Sequence, residues 1–305
     1  MLLKLVVYTS AIVSLYGVAQ HFGFEKDRWV QDVSARVFSS FGQPNWLAAF
    51  LVLVIPINLY LLIAESDIYK KSAWFFTAVL NFAALWFTFS LSGLAGFVLT
   101  IFIFFIFLEE KLRKTNLKWL ATLVALWTFT AIWQPGLAQS RAEDALKTIQ
   151  KSLSLVTPAF AATSDYAVGD TGDIRLIVWR GVINQVFSNP KSFLIGTGPE
   201  TVAFSFLPFR PAEMNNTSEG SFLYNKAHNY FLDLLSNLGL VGLLSYLALN
   251  IVAIVSCFKN RSDILSLAIG TALIGNAVTN FFGWPTVMTN LLFFLYLANI
   301  KKYEL

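Results

Sequence analysis

Trp46 to Ala64 reads WLAAFLVLVIPINLYLLIA, nineteen residues without one charge. At about 1.5 Å of rise per residue a helix of this length covers about 28 Å, close to the hydrocarbon thickness of a bilayer. Pro44 and Asn45, just ahead of it, are natural helix-start residues. The whole chain follows this pattern. Of its 305 residues 56% are hydrophobic, 16% aromatic and only 13% charged, with a mean hydropathy of +0.61, whereas soluble domains carry about 25% charged residues. This is the composition of an integral membrane protein. The formal charge of +4 is spread over short loops and forms no nucleic-acid patch. The single cysteine, Cys257, excludes an intrachain disulfide and a cysteine-based metal site, and is read as an inert thiol.

Seven further apolar stretches flank this one. Leu2 to Gln20 is read as a retained span, because Tyr16 to Gln20 is a poor signal-peptide cleavage site. Ser72 to Phe89 and Leu94 to Leu108 are separated by the uncharged break Ser90-Leu91-Ser92-Gly93, and Trp119 to Trp133 is short, with interfacial tryptophans at both ends. Leu238 to Phe258, Ile264 to Phe281 and Thr286 to Ile300 complete the set. The expected fold is therefore an all-α polytopic membrane protein with about eight transmembrane helices. Residues 1–133 hold five spans, 134–227 form one large polar loop containing short helices, and 228–305 hold an interfacial helix and three spans. Within the loop, Arg141 to Leu155 and Arg175 to Ser188 have helical periodicity, Thr163 to Gly172 is turn-rich, and Asn189-Pro190 stops the second helix.

Positive charge orients the chain. With the loop outside, Lys4, Lys70, Lys71, Lys111, Arg113, Lys114, Lys118, Lys259, Arg261, Lys301 and Lys302 fall inside, and the turns at 90–93 and 282–285 carry no Lys or Arg. Both termini are then cytoplasmic. The 21–44 segment fits less well, since Lys26, Arg28 and Arg36 lie outside, offset by Glu25, Asp27 and Asp32.

Chemistry is sought in the loop and at its exit. His228, one of two histidines, stands with Asn229 at the start of a helix whose apolar residues Tyr230, Phe231, Leu234, Leu235 and Leu238 recur at helical spacing, with Asp233, Ser236 and Asn237 on the polar side. The positive end of a helix dipole favours the neutral imidazole a general base requires, and the same free N–H groups can hold an anion. A histidine that merely caps the helix is the competing reading. Arg175 and Arg180, five residues apart, point about 140° from one another on a helix, so they do not grip one ligand together. Arg175 shares a face with Val178, Trp179, Val182 and Val186, where a charge should be paired or ligand-bound. It is a phosphate-binding candidate or the partner of Asp170 or Asp173. Arg210 lies in an aromatic-rich loop with Glu213, which suits a sugar diphosphate, a lipid chain or simple interfacial anchoring. Gly196-Thr197-Gly198 reads as a tight turn. Without a carboxylate-rich or cysteine-based metal motif, no metal and no other cofactor is expected.

Taken in order, FGQPNWLA from Phe41, SLSG from Ser90, RLIVWR from Arg175, Asn189-Pro190, GTGPE from Gly196, RPAE from Arg210, AHNYFLD from Ala227 and GLVG from Gly239 resemble the O-antigen ligase and polymerase family across nearly the whole chain. These are bacterial inner-membrane glycosyltransferases acting on undecaprenyl-diphosphate-linked glycans. The resemblance implies a GT-C-like fold, a periplasmic loop, and metal-independent, inverting transfer of the glycan to an acceptor hydroxyl on a growing glycan, on lipid A core or on a protein. It implies that His228 activates the acceptor and that Arg175 and Arg210 hold the diphosphate; Arg180, Asn229, Glu213 and Arg36 join them as substrate-binding candidates. Two departures stand out. Gly93 occupies a position where family members commonly carry Arg, for which Arg36 or Arg180 can substitute, and family chains usually have more spans before the segment at which this one begins. A transporter or flippase, and an inactive assembly subunit, are the rival readings; the first calls for ionisable residues within spans, and the spans assigned above contain none apart from Lys4 near the chain start.

Overall fold

The structure, a computed structural model, describes residues 1–133 and 171–300. The expected helix at Arg141 to Leu155 and most of the turn-rich stretch at Thr163 to Gly172 lie outside the described residues, as do Lys301 and Lys302. Every regular element among the described residues is helical. The chain divides into two compact units, one made of Met1–Arg141, Asn250–Thr279 and Pro285–Leu305, the other of Ala142–Leu249 and Asn280–Trp284.

In the first unit α1 (Leu2–His21), α2 (Pro44–Ala64), α3 (Ile68–Phe87), α4 (Leu91–Phe107), the short α5 (Glu110–Thr115) and α6 (Leu117–Trp133) follow one another. A helix that is apolar all round has to be surrounded, and α2 is: Leu47, Leu51, Leu53, Ile55, Ile57, Leu59 and Leu62 have no exposed surface. It begins where Pro44 sits in the first turn and the Gln43 side chain accepts from Trp46 N at 2.9 Å. α3 packs on α1 and α2. Several polar side chains buried between these helices pair with one another or with backbone carbonyls. Ser14 donates to Asn81 Oδ1 at 2.8 Å, Asn81 Nδ2 donates to Ser10 at 3.0 Å, and the Trp127 indole donates to the Ala78 carbonyl at 3.2 Å.

The Ser-Leu-Ser-Gly break is a helix start, with Ser90 capping α4 through Gly93 N at 3.2 Å. Gly93 is a packing residue. A Cβ there would lie 2.5 Å from Ala48 Cβ on α2, so α2 and α4 approach as closely as small residues allow. Arginine has no room at this position.

Two later helices, α11 (Ile264–Phe281) and α12 (Val287–Ala298), return to the first unit for most of their length, after α7 to α10 described below. α11 meets α4 through Gly96 and Gly275, and Thr100 Oγ1 donates to the Thr271 carbonyl at 3.2 Å. Tyr296 of α12, wholly buried, donates to the Leu53 carbonyl at 3.0 Å. Cys257 is buried against Gly270.

Each of the eight expected span positions carries a helix, but they are not equivalent. Leu2–His21, Pro44–Ala64, Tyr230–Lys259 and Ile264–Phe281 are long and apolar enough to cross a membrane, whereas Leu91–Phe107, Leu117–Trp133 and Val287–Ala298 are apolar but shorter. α3 is long, and its first turn carries Tyr69, Lys70 and Lys71.

Candidate active site

The second unit is organised by α7 (Thr171–Val186). Ile174, Val178, Val182 and Val186 recur every fourth residue and are buried with Val202, Phe206, Met214, Tyr224 and Ala227. Loop segments wrap this stripe: α8 (Pro190–Ile195), α9 (Val202–Ser205) and 3-10 turns at Leu207–Phe209 and Ala212–Asn216. Asn189-Pro190 begins α8, Asn189 accepting from Ser192 N at 2.9 Å with Pro190 in the first turn. Gly181 brings α7 onto the Arg210 loop; a Cβ there would lie 2.5 Å from the Phe206 ring and 2.9 Å from the Phe209 carbonyl.

The chain leaves the loop through α10 (Tyr230–Lys259), which is bent at Gly239 with φ 65° and ψ −167°. A kink releases carbonyls from the helical ladder. Here the Gly196-Thr197-Gly198 segment supplies their donors: Thr197 N reaches the Ser236 carbonyl at 3.0 Å and Gly198 N the Asn237 carbonyl at 2.9 Å. Two backbones cross at this point. A side chain on Gly196, φ 73°, would run into the Asn237 carbonyl, and one on Gly239 would run into the Leu194 carbonyl. The motif is a turn, as its composition suggests, and also the brace of the kink. Asp233, Ser236 and Asn237, expected on a polar side, are buried with exposures of 2%, 1% and 8%. They face protein donors and acceptors: Ser236 donates to Gln185 Oε1 at 2.8 Å, and Asn237 Oδ1 accepts from Thr201 N at 3.2 Å.

His228 precedes the helix instead of lying in it. Asn229 caps α10, its Oδ1 accepting from Phe231 N at 3.0 Å and Leu232 N at 3.2 Å. His228 itself holds φ 57°, in the left-handed region that non-glycine residues seldom occupy. Its ring meets Trp284 edge-on with centroids 4.7 Å apart and lies 5.7 Å from the Tyr224 ring. Nδ1 is 3.3 Å from the Lys226 carbonyl. A carbonyl can only accept, so Nδ1 carries the proton and Nε2 keeps the lone pair. Burial, and then the positive charge of Arg175, push the His228 pKa down to about 4. At neutral pH the ring is a neutral imidazole, held so by burial and by a guanidinium.

The helical phase of α7 separates the two arginines. Arg175 is half-buried and acts electrostatically on His228, whereas Arg180 is exposed and pairs with Glu213 at 3.3 Å. The side chains of Asp170 and Asp173, considered as partners for Arg175, are not among those described. Arg210 donates through Nη2 to the Gly220 carbonyl, and its buried Nε has no hydrogen-bond partner among the described residues. Arg36 belongs to the first unit, where it donates to the Thr88 carbonyl at 3.0 Å and to Asn45 Oδ1 at 3.1 Å. Sequence reasoning gave no role to Trp284 or to the indole of Trp179, because neither has a local pattern that marks it. Among the described residues no three His, Cys, Asp or Glu side chains come together.

The sequence profile of the O-antigen ligase family matches residues 76–247, more than half of the chain. The chain belongs to that family. A comparison with curated proteins returns no match. As a member of the O-antigen ligase family it is a membrane protein of polysaccharide and lipopolysaccharide assembly, of the ligase or polymerase type. The matched region runs from within α3 to within α10, and so includes Gly93, Arg175, Arg180, Arg210, Glu213, His228 and Asn229; Arg36 lies before it.

Proposed function

We propose that this O-antigen ligase family member transfers a glycan from undecaprenyl diphosphate to an acceptor hydroxyl at the periplasmic face of the inner membrane, with inversion and without a metal. The observation that carries the reading is the state of His228: neutral, Nδ1 engaged by a backbone carbonyl, Nε2 left with its lone pair, and the Arg175 charge acting on the ring. The acceptor oxygen attacks the anomeric carbon from the face opposite the diphosphate, its proton passes to Nε2, and the glycosyl C–O bond breaks with its electron pair leaving on the diphosphate. Arg175 and Arg210 bind that leaving group, because charge-assisted hydrogen bonds strengthen as its charge develops. An anionic donor also offsets the Arg175 charge, so His228 becomes more basic when the donor is bound. In this reading Arg180 and Glu213, exposed and paired, contact the glycan or its lipid carrier, and Asn229 contributes through the cap that precedes α10. Arg36 is a further proposed substrate contact. The eight-span topology with both termini cytoplasmic is part of the same reading.

The test is glycan transfer from the lipid-diphosphate donor by membranes containing wild type, His228→Ala, Arg175→Ala or Arg210→Ala. Loss of transfer in His228→Ala, and a raised donor KM with lowered kcat in the arginine variants, is expected. Unchanged transfer by His228→Ala would refute the mechanism, and loss of turnover on chelation would refute its metal independence.

A further inference from the structure

Ala227, the residue before His228, is buried completely and held from both sides. Its N–H donates to Asp233 Oδ1 at 2.7 Å, and its carbonyl accepts from the Trp179 indole at 2.8 Å. Asp233 comes from the first turns of α10 and Trp179 from the middle of α7, so two helices fix the two peptide planes that flank residue 227. Immediately afterwards His228 adopts φ 57° and Asn229 begins the cap. A left-handed backbone at a non-glycine residue is strained and persists only where the surroundings over-determine it. The clamp on one side and the cap on the other supply that determination. Neither Asp233 nor Trp179 has a hydrogen bond to the imidazole among those described, so their effect on it runs through the backbone.

We infer that Asp233 and Trp179 are positioning residues, which hold the Ala227 peptides so that His228 presents Nε2 to the acceptor hydroxyl. The inference rests on His228 being the proposed base. Asp233 acts here as an acceptor oxygen. Its charge is not needed for the bond to Ala227 N, so asparagine, which keeps a carbonyl oxygen in the same place, preserves the clamp, while leucine of similar size removes it. Trp179→Phe removes the other hydrogen bond and retains an aromatic ring in the α7 core.

The experiment measures transfer kinetics for purified wild type, Asp233→Asn, Asp233→Leu, Trp179→Phe and His228→Ala, together with the thermal unfolding of each. Displacing a base by about 1 Å costs on the order of 100-fold in rate. Asp233→Leu and Trp179→Phe should therefore lose kcat by about that factor with little change in donor KM, and Asp233→Asn should stay close to wild type. Site-resolved carbethoxylation of His228 by diethyl pyrocarbonate gives a reading independent of turnover and should change in the two clamp-breaking variants and not in Asp233→Asn. If His228→Ala is inactive while Asp233→Leu and Trp179→Phe, both folded, keep wild-type kcat and wild-type His228 labelling, the positioning role is wrong. If His228→Ala remains active, the underlying mechanism fails instead. Should Asp233→Leu fail to fold, Trp179→Phe decides the matter alone.

Discussion

The state of His228 makes a prediction about pH. An ordinary histidine titrates near 6.5, and this one is pushed down to about 4, first by burial and then by Arg175. With His228 as the proposed base, which acts only as the neutral ring, activity should persist well below the pH at which a solvent-exposed histidine base would fail. The profile of kcat/KM, which reports the free enzyme, should have its acid limb near pH 4. The kcat profile reports the donor complex; in the proposed complex the diphosphate charge opposes that of Arg175, and the limb should sit higher. Arg175→Gln removes a cation that disfavours imidazolium, so the limb in kcat/KM should rise. Burial is the larger cause, so the substitution should recover only the smaller part of the displacement. The assay is transfer from a lipid-diphosphate donor in detergent, followed from about pH 8 to about pH 3.5, with activity restored on return to neutral pH to exclude unfolding. A wild-type limb near 6.5, or a limb that falls in Arg175→Gln, would refute the argument.

The other predictions concern packing and stability. Gly239→Ala or Gly196→Ala places a methyl group against crossing backbone at a positive φ, and should destabilise the protein by about 3 kcal/mol or more and abolish transfer, seen as a lowered midpoint in thermal unfolding. Gly93→Arg should not raise activity; the contact with Ala48 should cost about 1–3 kcal/mol, measured by denaturation in detergent. Below about pH 6.5 the unfolded chain binds a proton at residue 228 before the folded one does, so His228 should lower stability as pH falls from 6.5 towards about 4, and His228→Gln should flatten that slope.

What the sequence made legible was local. Runs such as Trp46–Ala64 declare helices because nothing else satisfies a backbone in hydrocarbon, and the period of Val178, Val182 and Val186 set the phase that distinguishes Arg175 from Arg180. Helix starts at Gln43-Pro44 and Asn189-Pro190 follow from side chains that reach only a few residues. The features that shape the candidate site depend on remote partners. Nothing near Gly196 announces Ser236 and Asn237 as its acceptors, and nothing near Trp179 announces the Ala227 carbonyl. For the same reason nothing near Gly93 announces Ala48 of α2 as its packing neighbour. His228 stands out by its neighbours in sequence, but its lowered pKa comes from burial and from an arginine on α7.

The crossing at Gly196 and Gly239 also orders events during biosynthesis. The Ile195–Gly198 segment leaves the ribosome first, and the carbonyls that it must reach, those of Ser236 and Asn237, belong to a helix still to be translated. Until the bend at Gly239 has formed, Thr197 and Gly198 have no acceptors there. The loop therefore locks onto the chain late, and a nascent protein arrested before residue 239 carries an unfinished second unit.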